Sequence, residues 1–554
     1  MDGLMQDVQL TLVHAFERCE QLWGTKTIAT ATGAGVERTT YAQWATRARR
    51  LGGVFDLLDL SADARVGTFG WNTARHLELY FAAPCSGRVL HTLNVRLFAE
   101  QLIYIANHAE DEVVFCDRSL IGVLWPLIDD MKTVRHVVVM DDSGGAPDAP
   151  EVPDDRRVSD YESLLAQARP VEWHVRDEQQ AAAMCYTSGT TGNPKGVVYS
   201  HRSSLLHAMG VLTADAAALC EGDVVLPVVP MFHANAWGLA HAAVFCGAAQ
   251  VMPGPNMTPA AIAQLISTER VTVAGGVPTI WMGVLPMLES GEADLSSIRT
   301  ILCGGSAVPR ALMEGFMRNG VKISHAWGMT ETSPVASISR VKRSLEPVTA
   351  EQEVELRLTQ GLPAPLVDMR IVEPDTTNAL AWDGEATGEL QVRGPWVAAA
   401  YYRLEGEEDS PNTPDGWLKT GDVASIDAEG YIRLVDRTKD LVKSGGEWIS
   451  TVELENAIMG HPAVVEAAVV GVPHPRWDER PLACVVLRPG ATIDREDLRS
   501  FLADKVAKWW LPDDVVVIDS VPKTSVGKFD KKVLRRRLEE GGLAVQRPGA
   551  PAVG

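Results

Sequence analysis

Short apolar runs with strand character alternate with amphipathic helical patterns along most of this chain. Parallel strands need a crossover connection, usually a helix, so this alternation constrains the fold to α/β layers with largely parallel sheets. A section richer in strand patterns follows at 369–435. The predicted helices cover 12–22 and 41–57, and the predicted strands cover 65–69, 112–116, 136–140, 224–229, 271–273 and 300–302.

The chain is too long for a single hydrophobic core. With 554 residues, 46% hydrophobic and 22% charged, it has the size of a multi-domain protein and the composition of a globular one. The pattern changes after Asp436, where helix, strand, strand and helix are predicted at 452–459, 464–472, 482–487 and 496–508. We therefore predict a large N-terminal domain, a compact α+β C-terminal domain and a disordered tail, at 1–435, 436–544 and 545–554.

Charge and cysteine usage exclude several classes of protein. The formal net charge of −21 disfavours a general nucleic-acid binder, because a polyphosphate backbone requires a basic surface. No apolar run approaches the roughly 18 residues of a membrane span, and residues 1–10 carry no secretory pattern. Eight scattered cysteines without a CxxC pair indicate reduced thiols. We therefore expect a cytoplasmic protein without an integral membrane segment.

One loop, at 187–196, has the composition of a phosphate cradle. Its glycines permit close backbone approach, its hydroxyls and N–H groups can donate to phosphate, and Lys195 adds a positive charge. A Walker-type loop requires Gly-Lys-Ser/Thr, but here Pro194 precedes the lysine and Gly196 follows it. The residues predicted to contact phosphate are Thr187, Ser188, Gly189, Thr190, Thr191, Gly192 and Lys195.

Together with this loop, two segments resemble the adenylate-forming superfamily of acyl-CoA synthetases, luciferases and peptide-synthetase adenylation domains. Pro-Met-Phe-His-Ala-Asn-Ala-Trp-Gly at 230–238 and His-Ala-Trp-Gly-Met-Thr-Glu-Thr at 325–332 are most similar to fatty acyl-CoA synthetases of the medium- and long-chain type. The segment 81–97 points the same way, although Val95 stands where that group usually has proline. The resemblance implies a small mobile C-terminal domain, a homodimer, and ATP, CoA and a carboxylic acid as substrates.

The resemblance assigns the nucleotide and its metal to particular residues. Glu331, with Thr187, would hold Mg²⁺ against the phosphates, whereas a lone glutamate is usually only a solvated charge. Asp422 would accept both ribose hydroxyls, and Asp436 matches the hinge between the domains. Without the resemblance, the charged run 436–440 would indicate an exposed turn. The other implied ATP- or AMP-binding residues are Gly305, Ser306, His325, Ala326, Trp327, Gly328, Thr330, Arg437, Lys439, Lys443 and Trp448.

The acyl and CoA ends of the reaction are assigned in the same way. His233 would lie beside the reacting carboxylate, and Trp237 would gate an acyl tunnel. Lys528 would reach the α-phosphate as a catalytic residue, although the cations that follow at 531–537 are ordinarily a solvated face. The implied wall residues are Gly276 and Val277, for which plain core is an equal alternative, and the implied CoA contacts are Ser444, Gly445 and Gly446.

Several alternatives share these motifs. An amino-acid adenylation domain needs an acidic residue just after Phe232 to bind the α-ammonium group, and 233–236 offers none. A luciferase-type oxygenase has the same loops and stays open. A non-catalytic acyl-nucleotide binding protein is expected to lack Lys528 or Glu331, and both are present. The prediction is a fatty acid CoA ligase, with a short thioether or aryl acid as the alternative substrate.

Overall fold

The computed structural model describes most of the chain. The described residues are 1, 3–145, 149–175, 177–187, 193–373, 376–404, 410–437, 440–444, 447–523 and 529–543, with Glu447 and Trp448 described by their backbone alone. The predicted tail at 545–554 lies outside these ranges. So do the predicted site residues Ser188, Gly189, Thr190, Thr191, Gly192, Lys439, Gly445, Gly446 and Lys528.

The helices follow the amphipathic patterns, and the two predicted near the N-terminus begin and end at the predicted residues. The longer of them starts in a capping box: the amide of Gln43 donates to the Thr40 hydroxyl at 3.2 Å, and the amide of Thr40 donates to the Gln43 side chain at 2.9 Å. The helices are α1 (Leu12–Leu22), α2 (Tyr41–Leu57), α3 (Ala74–Cys85), α4 (Ala99–Ala109), α5 (Ile121–Leu124), α6 (Tyr161–Gln167), α7 (His201–Leu212), α8 (Leu239–Cys246), α9 (Pro259–Glu269), α10 (Pro278–Glu289), α11 (Arg310–Arg318), α12 (Ala350–Leu358), α13 (Thr451–Met459), α14 (Arg495–Leu502) and α15 (Lys531–Glu539).

The strands coincide with the short apolar runs. They are β1 (Thr27–Thr32), β2 (Gly35–Thr40), β3 (Arg65–Phe69), β4 (Val89–Thr92), β5 (Asp111–Asp117), β6 (His136–Met140), β7 (Val158–Asp160), β8 (Ala181–Tyr186), β9 (Gly196–Ser200), β10 (Val224–Pro227), β11 (Ala249–Met252), β12 (Val273–Gly276), β13 (Thr300–Gly304), β14 (Ile323–Gly328), β15 (Val335–Ile338), β16 (Leu362–Pro363), β17 (Asp368–Val372), β18 (Thr387–Arg393), β19 (Leu418–Ile426), β20 (Ile432–Arg437), β21 (Val442–Ser444), β22 (Glu447–Ile449), β23 (Val464–His474), β24 (Asp478–Leu487) and β25 (Asp514–Val517).

Two largely parallel sheets form the body of the molecule. One has the strand order β16-β15-β14-β13-β12-β10-β11-β1-β2, parallel in the middle and antiparallel at both edges. The other has the order β7-β6-β5-β3-β4-β8-β9, with β9 antiparallel to β8. Strands such as β4 and β12 are buried at every residue, as expected when both faces of a sheet are covered. The predicted α/β fold class is confirmed.

Two smaller sheets follow in the second part of the chain. The β-rich section forms an antiparallel sheet, β17-β18-β19-β20, whose register pairs Asp422 with Arg437. The last sheet has the order β22-β21-β24-β23, with β25 parallel to β24. Its core includes Leu454 from α13 and Leu498 from α14, so strands and helices of the C-terminal part share one interior.

Element boundaries differ from the prediction where tertiary packing decides them. Strand β10 stops at Pro227, because proline has no N–H to continue the ladder. Strand β12 starts two residues late, because the amide of Val271 still donates to Ile266 at the end of α9. The last predicted helix, at 496–508, ends at Leu502. Beyond it, Trp510 packs against the C-terminal core.

Two expectations about cellular context can be compared with the structure. All eight cysteines are free thiols, and six of them are buried. None of the helices in the described part of the chain is both long and apolar enough to span a bilayer.

Candidate active site

A cavity of about 750 Å³ lies where the first large sheet, the antiparallel sheet and the C-terminal helices meet. Its walls include segments that follow the carboxyl ends of β10, β12, β13 and β14, the usual place for a ligand in such sheets. The predicted site residues that line it are Thr187, Lys195, His233, Trp237, Val277, Gly305, Ser306, His325, Ala326, Trp327, Gly328, Thr330, Glu331, Asp422, Asp436 and Arg437.

Three predicted site residues with described side chains lie outside this lining. Gly276 is buried, and a Cβ added there would lie 3.1 Å from the indole of Trp281. Lys443 lies on β21, where its amide donates to Glu479 at 3.0 Å. Ser444 follows on the same strand and accepts a hydrogen bond from Arg480 at 2.9 Å. Lys443, predicted to bind the nucleotide, and Ser444, predicted to contact CoA, therefore do not line this cavity.

The polar end of the cavity is built from the base of the 187–196 loop and the turn after β14. The amide of Thr187 donates to the carbonyl of Lys195 at 2.9 Å, which closes the loop at its two ends. Glu331 sits in a 3₁₀ turn (Thr330–Thr332) and is buried. Its neighbour Thr330 accepts a hydrogen bond from the Tyr199 hydroxyl at 2.8 Å. The Glu331 carboxylate and the Lys195 ammonium group thus belong to two separate segments that line the same cavity.

The Asp422 carboxylate is held by two side chains. It is buried, its Oδ2 accepts from the indole of Trp327 at 2.9 Å, and its Oδ1 pairs with Arg437 at 3.0 Å. The attraction of Asp422 raises the pKa of Arg437 above its usual value. His325 is also buried, its ring faces the Leu358 carbonyl at 3.1 Å, and burial lowers its pKa to about 4. This histidine is therefore neutral at physiological pH.

A left-handed turn forms the apolar end of the cavity. Residues 234–237 have φ angles of 42°, 51°, 51° and 55°, a conformation that costs about 1–2 kcal/mol per non-glycine residue. Gly238 continues the turn at φ 74°, and a Cβ added there would lie only 2.5 Å from the His207 ring, so the position has no room for a side chain. The buried Trp237 indole lines the cavity beside Val229 and Val277. Surrounding packing, and not local preference, holds this turn.

A buried ionic network connects the predicted hinge to the C-terminal helices. Asp436 accepts the amide of Thr451 at 2.6 Å and also its hydroxyl. Lys531 donates to that hydroxyl and pairs with Glu455 at 2.7 Å. Glu455 further accepts the amide of Val469 at 2.7 Å. The network joins β20, α13, α15 and β23 around one lysine.

The whole chain can be compared with known families once this geometry is established. A family model described as "AMP-binding enzyme" matches residues 16–402, and one described as "AMP-binding enzyme C-terminal domain" matches residues 453–528. The chain belongs to the AMP-binding enzyme family. The predicted membership of the adenylate-forming superfamily is confirmed.

Curated relatives of this AMP-binding enzyme are CoA ligases of similar length. The long-chain fatty acid CoA ligase of Thermus thermophilus is 46% identical over 536 residues, covering 97% of both chains. The 3-methylmercaptopropionyl-CoA ligase of Ruegeria pomeroyi is 43% identical over 522 residues, covering 94% of both. The medium-chain fatty acid CoA ligase of Ectopseudomonas oleovorans is 38% identical over 540 residues, covering 97% of both. The protein is an AMP-forming acid–thiol ligase.

Solved structures agree with the fold of this AMP-binding enzyme. ATP-bound MatB from Rhodopseudomonas palustris has a TM-score of 0.81 at 26% identity, covering 96% of this chain and 99% of its own. The anthranilate CoA ligase AuaEII, in complex with anthranoyl-AMP, has a TM-score of 0.85 at 24% identity, covering 98% and 100%. At that identity the second similarity concerns the fold alone.

Sequence reasoning missed two side chains of this AMP-binding enzyme. Tyr401 lines the cavity and donates to Glu331, but it stands in an alanine-rich stretch without a motif that would single it out. Lys531 was expected on a solvated face with its basic neighbours, yet only 8% of it is exposed. The correction has a physical reason, since Glu455 and Asp436 compensate the buried charge. The i, i+3 relation of Lys531 and Leu534, both buried on one side of α15, was the available signal.

Replacing Lys531 by methionine is expected to destabilise the C-terminal helices most at alkaline pH. Burial raises the pKa of Glu455 to about 7, and Lys531 opposes that rise. Without the lysine the pKa of Glu455 increases further. Glutamate in the unfolded chain has a pKa of about 4.3, so the stability of the folded state decreases as pH rises from about 4.3 to the pKa of Glu455 in the folded state. In the variant that folded-state pKa is higher, so the decrease extends to a higher pH. We expect a loss of about 3 kcal/mol near pH 8.5 and a smaller loss near pH 6.

Hydrogen exchange of peptides from α13 and α15, corrected for the intrinsic pH dependence of exchange, measures this loss. The double variant Lys531→Met, Glu455→Gln removes this buried carboxylate as well and serves as the control, with a loss that depends less on pH than the loss in the single variant. An equal loss at both pH values in the single variant would contradict the role of the ion pair.

Proposed function

We propose that this ligase activates a medium- or long-chain fatty acid, converting the carboxylate, ATP and CoA into acyl-CoA, AMP and pyrophosphate through an acyl-adenylate. The apolar end of the cavity carries the proposal. Trp237, Val229 and Val277 form its wall, and Met282 on α10 extends it. Such a wall suits an alkyl chain, because the burial of each CH₂ contributes about 0.8 kcal/mol. The relatives that act on fatty acids support the same substrate class.

The first chemical step joins two anions. The fatty acid is ionised at neutral pH, because carboxyl groups have pKa values of about 4–5. Its oxygen attacks the α-phosphorus, a bond to phosphorus forms, and the bond to the bridging oxygen of the pyrophosphate breaks. Lys195 and Lys528 offset the negative charge, and Asp422 with Arg437 orients the nucleoside. His233, which lines the cavity, would face the carboxylate.

The polar end suits Mg²⁺, which prefers oxygen ligands and usually combines one or two carboxylates with substrate phosphates and water. Glu331 and the Thr187 hydroxyl are the residues that would hold it. The described residues contain no cluster of three or more His, Cys, Asp or Glu side chains that could hold a metal by themselves. When bound, Mg²⁺ supplies positive charge to the phosphate oxygens.

In the second step the CoA thiolate attacks the acyl carbon, the carbonyl–phosphate bond breaks and AMP leaves; the thiol proton goes to solvent. The domain division at Asp436 and the mobile C-terminal domain belong to this proposal, with rotation replacing Lys528 by the 444–446 segment. Support comes from the position of Asp436, which is buried near the end of β20 and accepts the amide of Thr451 at the start of α13. A change in its backbone angles would move everything that follows.

A panel of acids tests the substrate class. ATP–pyrophosphate exchange and CoA thioester formation are measured with straight-chain acids from propionate to palmitate, 3-methylmercaptopropionate and benzoate. We expect the highest kcat/KM with a medium or long chain. The relative from Ruegeria makes 3-methylmercaptopropionate the second candidate, and a maximum there would replace the fatty acid proposal. No exchange with any acid would contradict the activity itself.

Trp237→Ala is expected to shift the preferred acid towards longer chains. The buried indole occupies the apolar end, so its removal leaves space that additional CH₂ groups can fill. We expect the kcat/KM ratio between a long and a medium chain to change about tenfold, as one or two methylenes in an apolar pocket do. The same panel measures it. Trp382, an exposed tryptophan that does not line the cavity, is the control: Trp382→Ala should leave the ratio unchanged.

A further inference from the structure

A short segment at 398–402 contacts both halves of the polar end. The amide of Ala398 donates to the carbonyl of Glu331 at 2.7 Å. The amide of Tyr402 donates to the carbonyl of Gly196 at 2.8 Å, at the end of the phosphate loop. Because both contacts use the backbone, the segment fixes the position of the phosphate loop relative to the Glu331 turn independently of its own side chains.

Tyr401, between these two contacts, reaches the functional groups themselves. Its hydroxyl donates to Oε1 of Glu331 at 2.7 Å. The ammonium group of Lys195 lies 4.9 Å from the centre of its ring, within the range of a cation–π contact.

The backbone of the glutamate turn is already held by other groups. Tyr199, a buried tyrosine on β9, donates to the carbonyl of Thr330 at 2.8 Å. The amide of Ala398 holds the next carbonyl. These contacts fix the position of the turn but not the torsions of the Glu331 side chain. The Tyr401 hydroxyl acts on the carboxylate itself, because it donates to one of the two oxygens of a glutamate that lines the cavity.

We propose that Tyr401 is a positioning residue that sets the orientation of the Glu331 carboxylate for Mg²⁺ and holds the Lys195 ammonium group at the phosphates. The inference rests on the proposed function, in which these two groups meet the metal and the phosphates of ATP. Outer partners of metal ligands typically change metal affinity or activity by about 10- to 100-fold. The tyrosine couples two segments that are 136 residues apart in sequence, from Lys195 to Glu331.

Two substitutions separate its two contacts. Tyr401→Phe removes the hydroxyl and keeps the ring under Lys195, whereas Tyr401→Leu removes both. Mn²⁺, a spectroscopic substitute for Mg²⁺, is titrated by electron paramagnetic resonance in the presence of a non-hydrolysable ATP analogue. The KM of ATP in the exchange reaction and the rate of thioester formation from supplied acyl-adenylate are measured beside it. Tyr104→Phe, which removes a phenol hydroxyl outside the cavity, is the matched control.

We expect Tyr401→Phe to weaken Mn²⁺ binding about tenfold with the KM of ATP nearly unchanged in saturating metal. Tyr401→Leu should raise that KM as well, about fivefold, the size of an exposed cation–π contact. Thioester formation should be unaffected in both variants. Unchanged Mn²⁺ affinity in Tyr401→Phe, or equal losses in both half-reactions, would overturn the inference. A wild-type enzyme without exchange on any acid would instead overturn the proposed function, so the two failures are distinguishable.

Discussion

Replacing Lys528 by alanine is expected to lower the rate of acyl-adenylate formation about a thousandfold, the upper range for one group that stabilises charge in a transition state. Thioester formation from supplied acyl-adenylate should be largely retained, because the proposed rotation withdraws this lysine before CoA attacks. Lys528 lies outside the described residues, but Phe529 and Asp530, which follow it directly, line the cavity. This variant therefore tests both the proposed role of Lys528 and the proposed rotation of the C-terminal domain between the two half-reactions.

ATP–pyrophosphate exchange measures the first half-reaction, and single-turnover thioester formation from synthetic acyl-adenylate measures the second. Lys523→Ala is the matched control, because this lysine lies five positions earlier and pairs with Glu466 at 2.6 Å on a partly exposed surface. Such a pair contributes about 0–1 kcal/mol, so both rates should stay near those of the wild type. An equal fall of both half-reactions in Lys528→Ala would rule out separate conformations for the two steps.

The sequence predicts the layers of this fold well because their signals are local. Helices α1 and α2 carry a 3.6-residue apolar period over 11 and 17 residues and begin and end as predicted. The end of α14 is different, because it depends on where Trp510 meets the C-terminal core. A single-sequence pattern contains no information about that contact, so boundaries of this kind are not predictable from it.

The residues of the site also fall into those that the sequence predicts and those that it does not. Residues such as Glu331 and Asp422 stand in strings whose resemblance to a family places them, and the structure gathers them at one cavity. The left-handed turn at 234–237 has no local signal, because alanine and tryptophan rarely adopt positive φ and only the surrounding packing enforces it. Tyr401 acts through a contact with a residue 70 positions away. Its neighbours along the chain carry no indication of that partner.

Removing the Asp422 carboxylate is expected to raise the KM for ATP about a hundredfold. A carboxylate has about four acceptor positions, and the bonds from Trp327 and Arg437 occupy two of them. Two positions therefore remain for the 2′- and 3′-hydroxyls of ribose. Hydrogen bonds to a charged group contribute about 1.5 kcal/mol each at the lower end, so the loss of two weakens binding by about 3 kcal/mol, or about a hundredfold.

The comparison of ATP with 2′-deoxy-ATP decides whether Asp422 makes that contact. In the wild type the missing hydroxyl should raise the KM about tenfold, whereas in Asp422→Ala it should change the KM little, because its partner is already gone. Asp415→Asn is the control, since Asp415 pairs with Arg370 on β17 of the same sheet at 2.8 Å but does not line the cavity. If Asp422→Ala discriminated against 2′-deoxy-ATP as strongly as the wild type, the carboxylate would act only on Trp327 and Arg437. The ribose hydroxyls would then require another acceptor, and Glu389, which lines the same cavity, would be the next residue to test.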